Sequence, residues 1–162
     1  MTSLLQSSVV SSMALPVTIR PVERADAANW ERMRSALWPD HSGHAADIAR
    51  FFSAQRNEPL EVLLACSGSG SPLGFVELSI RPHAPGCTSD RVAFVEGWYV
   101  EPDHRRRGVG AALIRAAEEW GRANTCTELG SDTQLWNESS IVAHKALGFE
   151  EVERLVAFRK SL

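Results

Sequence analysis

Apolar positions recur along this chain with two periods, and each switch between them marks an element boundary. Val17, Thr18, Ile19 and Arg20, closed by Pro21, read as a first strand. From Asp26 onward, Trp30, Met33, Leu37 and Trp38 fall three and four residues apart, which predicts an amphipathic helix that Pro39 ends. Residues 45–55 predict a second helix with Ile48, Phe51 and Phe52 on its apolar side. Strands are expected over 60–66 and 73–81 around a glycine-serine turn, and over 92–100 after a loop through Pro82, Pro85 and Gly86. The helical period returns at Val109, Ala112, Leu113, Ala116, Ala117 and Trp120. Residues 128–131 then form a short strand and 139–147 a last helix, which Gly148 stops. On strand 92–100, simple alternation places Phe94, Glu96, Trp98 and Val100 on one face. The tail from Phe149 holds Val152, Leu155, Val156 and Phe158 without Gly, Pro, Asn or Asp to turn it back. It therefore predicts one long strand in place of a hairpin, the alternative being a tight turn around Glu153 and Arg154.

Composition narrows the class. A chain of 162 residues suits one domain with its own core, placed at 17–162, and the serine-rich residues 1–16 read as a disordered leader without the pattern of a secretory signal. No apolar run reaches membrane-spanning length, so no membrane partner is expected. A net charge of −3 argues against a nucleic-acid partner and permits a polycationic one. Cys66, Cys87 and Cys126 are odd in number and lack paired or metal-ligand spacing. That pattern predicts no disulfide framework, no metal site and a reducing cytoplasm.

Chemistry concentrates between Val100 and Ala111, VEPDHRRRGVGA. A strand end, a proline-started turn, Arg105, Arg106 and Arg107, then Gly108, Val109, Gly110 and Ala111 lead into a helix. Free N–H groups and the positive end of the macrodipole make such a start fit for a phosphate ester, provided no side chain blocks its approach. The same turn also serves as a plain helix start. The spacing Arg105-x-x-Gly108-x-Gly110 resembles the acetyl-CoA signature of the GNAT superfamily of N-acyltransferases. Asn137 followed by His144-Lys145-Ala146-Leu147-Gly148-Phe149 resembles that superfamily's second signature.

The resemblance implies an α/β GNAT fold, with a mixed, mostly antiparallel sheet flanked by helices. Its fourth and fifth strands splay to admit the pantetheine arm of acetyl-CoA, the cosubstrate. By the same likeness Asn137 hydrogen-bonds the pantetheine amide, although an asparagine there is also a good helix cap. The likeness also implies that the Val100 backbone N–H polarises the thioester. His144 stands where many relatives place a tyrosine that protonates the thiolate, so this chain departs from the pattern and His144 is the alternative donor beside water. Attack of an amine on a thioester requires an acceptor for the amine's proton, and Glu96, in an apolar and aromatic row, is the candidate; an exposed strand glutamate is the plainer reading.

Within the superfamily, the runs Phe94–Val100, 128–133 and 147–154, together with Leu37-Trp38-Pro39-Asp40-His41 and Glu77-Leu78-Ser79-Ile80-Arg81, are similar to aminoglycoside 6'-N-acetyltransferases. That resemblance implies acetyl transfer to the 6'-amine of an aminoglycoside in a ternary complex. Carboxylates and flat side chains then line the acceptor side: Asp132, Asp40, Trp38 and Glu77 beside Glu96. Each also has a structural role open to it, Asp132 as a turn cap, Asp40 as a solvated loop residue, Trp38 as core and Glu77 as a partner of Arg81. The rival functions are a GNAT enzyme for another amine, such as a polyamine or a protein N-terminus, and a non-catalytic acyl-CoA-binding module. An unpaired edge left by the C-terminal strand predicts a homodimer.

Overall fold

The computed structural model describes residues 16–53 and 59–162, so the expected leader lies, save for Pro16, outside the described residues. Strands β1 (Val17–Pro21), β2 (Glu61–Ser67), β3 (Pro72–Arg81), β4 (Val92–Val100) and β5 (Leu129–Ser131) form one sheet in sequence order. Neighbours run antiparallel except β4 and β5, which are parallel. Helices α1 (Ala27–Leu37) and α2 (His44–Phe52) cover one face, α3 (Val109–Ala123) covers the other, and α4 (Glu138–Ala146) follows β5. The second helix ends at Phe52, where the Ser53 N–H closes onto the Arg50 carbonyl, and positions 54 and 55 of the expected helix lie outside the described residues.

Alternation along β2 shows why two layers of helix are needed. Val62, Leu64 and Cys66 join Trp30, Met33, Ile48 and Phe51 on the α1/α2 face, while Leu63 and Ala65 join Leu113, Ile114 and Ala117 on the α3 face. Central β3, covered on both sides, accordingly reads as a nearly continuous apolar run. Trp30 is fully buried and meets Phe51 edge-on with centroids 5.1 Å apart. Each such large side chain contributes roughly 2 kcal/mol of apolar burial. Arg20 on β1 ties α1 down: its guanidinium donates to both Asp26 oxygens at 2.7 and 2.9 Å, and the Glu23 N–H donates to the same carboxylate.

The expected alternation of β4 fails at one residue. Glu77 pairs with Gly97 but Leu78 pairs with Val95, so Glu96 is an extra residue, a β-bulge on β4. The bulge reverses the parity of everything after it. Trp98 and Val100 pack on the α3 face with Val95, whereas Glu96 meets Ser79 and Arg81, and Gly97 and Tyr99 lie toward α1. Phe94 and Glu96 therefore share a face that Trp98 and Val100 do not.

A second departure concerns the C-terminus. Residues 150–162 form no strand, and Val152, Leu155, Val156, Phe158 and Leu162 are exposed. A strand needs a ladder partner, and β5, only three residues long, offers little edge to the tail of its own chain. The stop before it is as expected: Gly148 has φ 87°, the Phe149 N–H bonds the His144 carbonyl and the Gly148 N–H that of Lys145, a Schellman motif.

Candidate active site

The bulge aims Glu96 into a pocket of polar side chains on the α1 face of the sheet. Arg81 on β3 clasps it with Nε 2.9 Å from Oε1 and Nη2 2.6 Å from Oε2, and the Ser79 hydroxyl donates to Oε1. The guanidinium also lies over the Phe94 ring, 3.5 Å from its centroid. Both partners remain partly exposed.

Glu77, two residues before Ser79, faces the same way but is 2% exposed, so its carboxylate meets protein and not solvent. This corrects both expectations for it, a substrate-facing carboxylate and a partner of Arg81. Trp30 Nε1–H donates to Glu77 Oε1 at 2.9 Å. Arg34 Nε stands 2.9 Å from the same oxygen, close enough for charge pairing though its N–H is not aligned as a hydrogen bond. Burial pushes the Glu77 carboxyl up to about 7, against the opposing pull of Arg34 and Trp30. Arg34 in turn pairs with Asp47 at 3.3 Å and lies beneath the Trp38 ring, 5.2 Å from its centroid. Trp38 is thereby pinned over β4 at Gly97, where a Cβ would come within 2.4 Å of the indole. Asp40 follows in an exposed turn, and Asp132 is exposed directly after β5.

The other half of the site is a gap in the sheet. Pairing of β4 with β5 stops at Val95 and Ser131, while β4 runs on to Val100. The Glu101 N–H bonds the Leu73 carbonyl on β3, and ladder donors alternate in direction, so the Val100 N–H points into the gap. At the same end α3 begins. Gly108 caps it with φ 83° and open space at its Cβ position, and Ala112 is the first residue whose N–H bonds back, to Gly108. The N–H groups of Val109, Gly110 and Ala111 are thus left for a ligand.

Gly110 has a packing constraint that Gly108 lacks. A Cβ there would stand 2.8 Å from Trp98, so its glycine serves helix-to-strand packing. Arg105 donates to the Val100 carbonyl at 2.9 Å and braces the turn, while Arg106 and Arg107 are exposed.

His144 on α4 borders the gap, edge-on to Trp98 at 5.2 Å and to Phe149 at 5.1 Å. Its Nδ1 lies 2.8 Å from the Ser140 carbonyl, which can only accept, so Nδ1 carries the proton and Nε2 faces the Ser131 hydroxyl at 2.9 Å. In that tautomer Nε2 has no proton to give. Asn137 caps α4: its Oδ1 accepts from the Ser140 N–H at 3.2 Å and the Ser139 hydroxyl at 3.0 Å. Its amide N–H₂ is the part left for a ligand, so of the expected donor and acceptor pair the structure leaves the donor. No cluster of three metal-ligating side chains forms among the described residues.

Residues 28–149 match the model of the acetyltransferase (GNAT) family. The chain belongs to that family. This acetyltransferase is 53% identical over 146 residues, 89% of its chain and 96% of the relative, to an aminoglycoside N(6')-acetyltransferase type 1 of Klebsiella aerogenes. To the protein of the same name from Stenotrophomonas maltophilia it is 40% identical, over 90% of its chain and 94% of the relative. Among solved structures it resembles AAC(6')-Iy in complex with a CoA-acetylneamine bisubstrate analogue, with a TM-score of 0.81, 37% identity and coverage of 91% of this chain and 99% of that one. AAC(6')-Ih from Acinetobacter baumannii gives a TM-score of 0.81 at 34% identity, with coverage of 91% and 99%.

Sequence reasoning about this acetyltransferase missed Ser79, Arg34 and Ser131, and misassigned Arg81. Glu77, Ser79 and Arg81 do carry a signal, three polar residues at period two in an otherwise apolar strand. Ser131 and Arg34 carry none, since only the packing of α4 on β5 and of α1 on the sheet brings them to the site. Trp136, 78% exposed in the loop between Asp132 and α4, is a large flat side chain to which the sequence reading gave no role.

Proposed function

We propose that this acetyltransferase moves an acetyl group from acetyl-CoA to the 6'-amine of an aminoglycoside by direct attack in a ternary complex, and so confers resistance. The observation that carries the reading is the 53% identity, over nearly the whole of both chains, to a relative named for that activity. The site residues fit it. The N–H groups of Val109, Gly110 and Ala111 hold the pyrophosphate beside Gly108, with Arg106 and Arg107 adding positive charge from the exposed turn. The Asn137 amide donates to a pantetheine carbonyl. Val100 donates its N–H to the thioester oxygen and stabilises the negative charge that develops there.

Glu96 accepts the hydrogen bond of the 6'-ammonium and takes its proton, Trp38 lies against a sugar ring, and Asp132 and Asp40 receive the remaining ammonium groups. Attack forms the amide bond as the carbon–sulfur bond breaks, and the thiolate leaves with a proton from water or from His144. The tautomer held by Ser140 makes His144 a donor at Nε2 only as the imidazolium.

A homodimer built through the C-terminal tail is part of the same proposal, supported by the exposed apolar side chains of residues 152–162. Three free cysteines suit a reducing cytoplasm, and no helix among the described residues is long and apolar enough to cross a membrane.

Thiol release from acetyl-CoA in the presence of neamine tests the activity, with the acetylated nitrogen located by mass spectrometry. Acetylation at the 6'-nitrogen is expected, and no reaction with an analogue bearing a 6'-hydroxyl. Acetylation of that analogue at another amine would refute the regiochemistry.

A further inference from the structure

Glu96 already has a cation. The Arg81 guanidinium spans both its oxygens, at 2.9 and 2.6 Å, and the Ser79 hydroxyl takes a third acceptor direction on Oε1. A carboxylate offers about four such directions, so most of the surface an incoming ammonium needs is engaged. Among the described residues, the charged groups around the pair include members of three elements. On β3, buried Glu77 lies within electrostatic reach of Glu96; on α1, Arg34 neutralises Glu77; on α2, Asp47 neutralises Arg34. Glu77 is thus committed to the protein, and Arg81 is the cation bound to Glu96. Arg81 also has a second resting place, the face of Phe94, 3.5 Å from its centre, which remains when the carboxylate is surrendered.

We propose that Arg81 is a displaceable counter-cation: it occupies the Glu96 carboxylate in the empty enzyme and yields it to the substrate's ammonium on binding, resting then on Phe94. It is a positioning residue that acts through Glu96. The exchange favours an acceptor that arrives as a cation, because a neutral group cannot replace the charge that Arg81 withdraws. It also keeps the site's carboxylate from standing unpaired when no substrate is bound. The inference rests on the proposed aminoglycoside reaction.

The test compares wild type with Arg81→Gln and Arg81→Lys by calorimetry of neamine binding to the CoA-loaded enzyme and by steady-state kinetics. Removing the competitor is expected to tighten neamine binding about fivefold in Arg81→Gln, as a fall in KM with kcat changed less. Arg81→Lys keeps the charge but not the two-point clasp, and falls between. Methylguanidinium added to Arg81→Gln is expected to compete with neamine and to leave the wild type unaffected, a response that a merely structural arginine does not produce. Should Arg81→Gln fail to fold, Arg81→Lys is read alone, and unchanged or weaker neamine binding overturns the inference. Unchanged or weaker binding in a folded Arg81→Gln, with no effect of methylguanidinium, overturns it likewise while wild-type turnover of neamine leaves the parent function standing. Absence of wild-type turnover overturns both.

Discussion

At the scale of single residues, two glutamates one strand apart have opposite fates. Glu96, lifted by the bulge, stays partly exposed; Glu77 is buried between Trp30 and Arg34. Glu96→Gln retains the shape but cannot take a proton, and kcat/KM for an aminoglycoside is expected to fall about 100-fold, the usual contribution of a positioned proton acceptor. Steady-state kinetics decide it, and activity equal to wild type at every pH would remove Glu96 from the chemistry.

Glu77 bears instead on stability. Its folded-state carboxyl is raised to about 7, above the ordinary value of 4.5, so the folded chain binds the proton more tightly than the unfolded one. The associated stability is present in full below about pH 4.5 and is lost as pH rises to about 7, with a slope of at most about 1.4 kcal/mol per pH unit. Denaturant unfolding of Glu77→Gln should show that slope flattened between pH 5 and 7. An unaltered slope would assign it to other groups. Both carboxylates were visible in the sequence as polar interruptions of apolar strands, but which of them is buried depends on Arg34 and Trp30 from a helix more than 40 residues away in the chain.

At the scale of elements, the turn into α3 was the most legible feature, because its chemistry is local. A glycine with φ 83° at the cap, free N–H groups behind it and arginines before it follow from consecutive residues. Gly108→Val introduces a branched side chain at a left-handed position, in space that is open in the protein and lies beside those N–H groups. Calorimetry with CoA should show at least about a tenfold loss of affinity in a folded variant, a loss of one or two of the hydrogen bonds that the turn donates. Unchanged affinity would sink the assignment of the pyrophosphate site. Gly110 looked equivalent in sequence and is not: its neighbour is Trp98, brought there by the packing of α3 on β4. The bulge at Glu96 was illegible for a related reason. Nothing in Phe94-Val95-Glu96-Gly97-Trp98 states that β3 will advance one residue while β4 advances two.

At the scale of the whole molecule, the sheet ends at a three-residue strand while an apolar tail lies beyond it, with Phe158 94% exposed. A second copy covers such a tail most simply, by a two-fold contact or an exchange of strand ends. Light scattering at micromolar concentration should report a dimer, and deletion of residues 156–162 should yield a less stable monomer. A monomeric full-length chain would defeat the proposal.

What the sequence by itself determined was whatever depends on neighbours within a turn or two: the helical periods, most of the strands, the α3 turn and the Gly148 stop. It also determined the family, since motif spacing survives without any knowledge of contacts. The tertiary structure alone decided the facing of β4 beyond the bulge, the burial of Glu77, the clasp of Arg81 on Glu96 and the cap that commits one end of Asn137. These rest on pairing between β3 and β4 and on helices packed across the sheet, and such long-range contacts are set by the three-dimensional fit of surfaces that a linear pattern of polar and apolar residues does not encode.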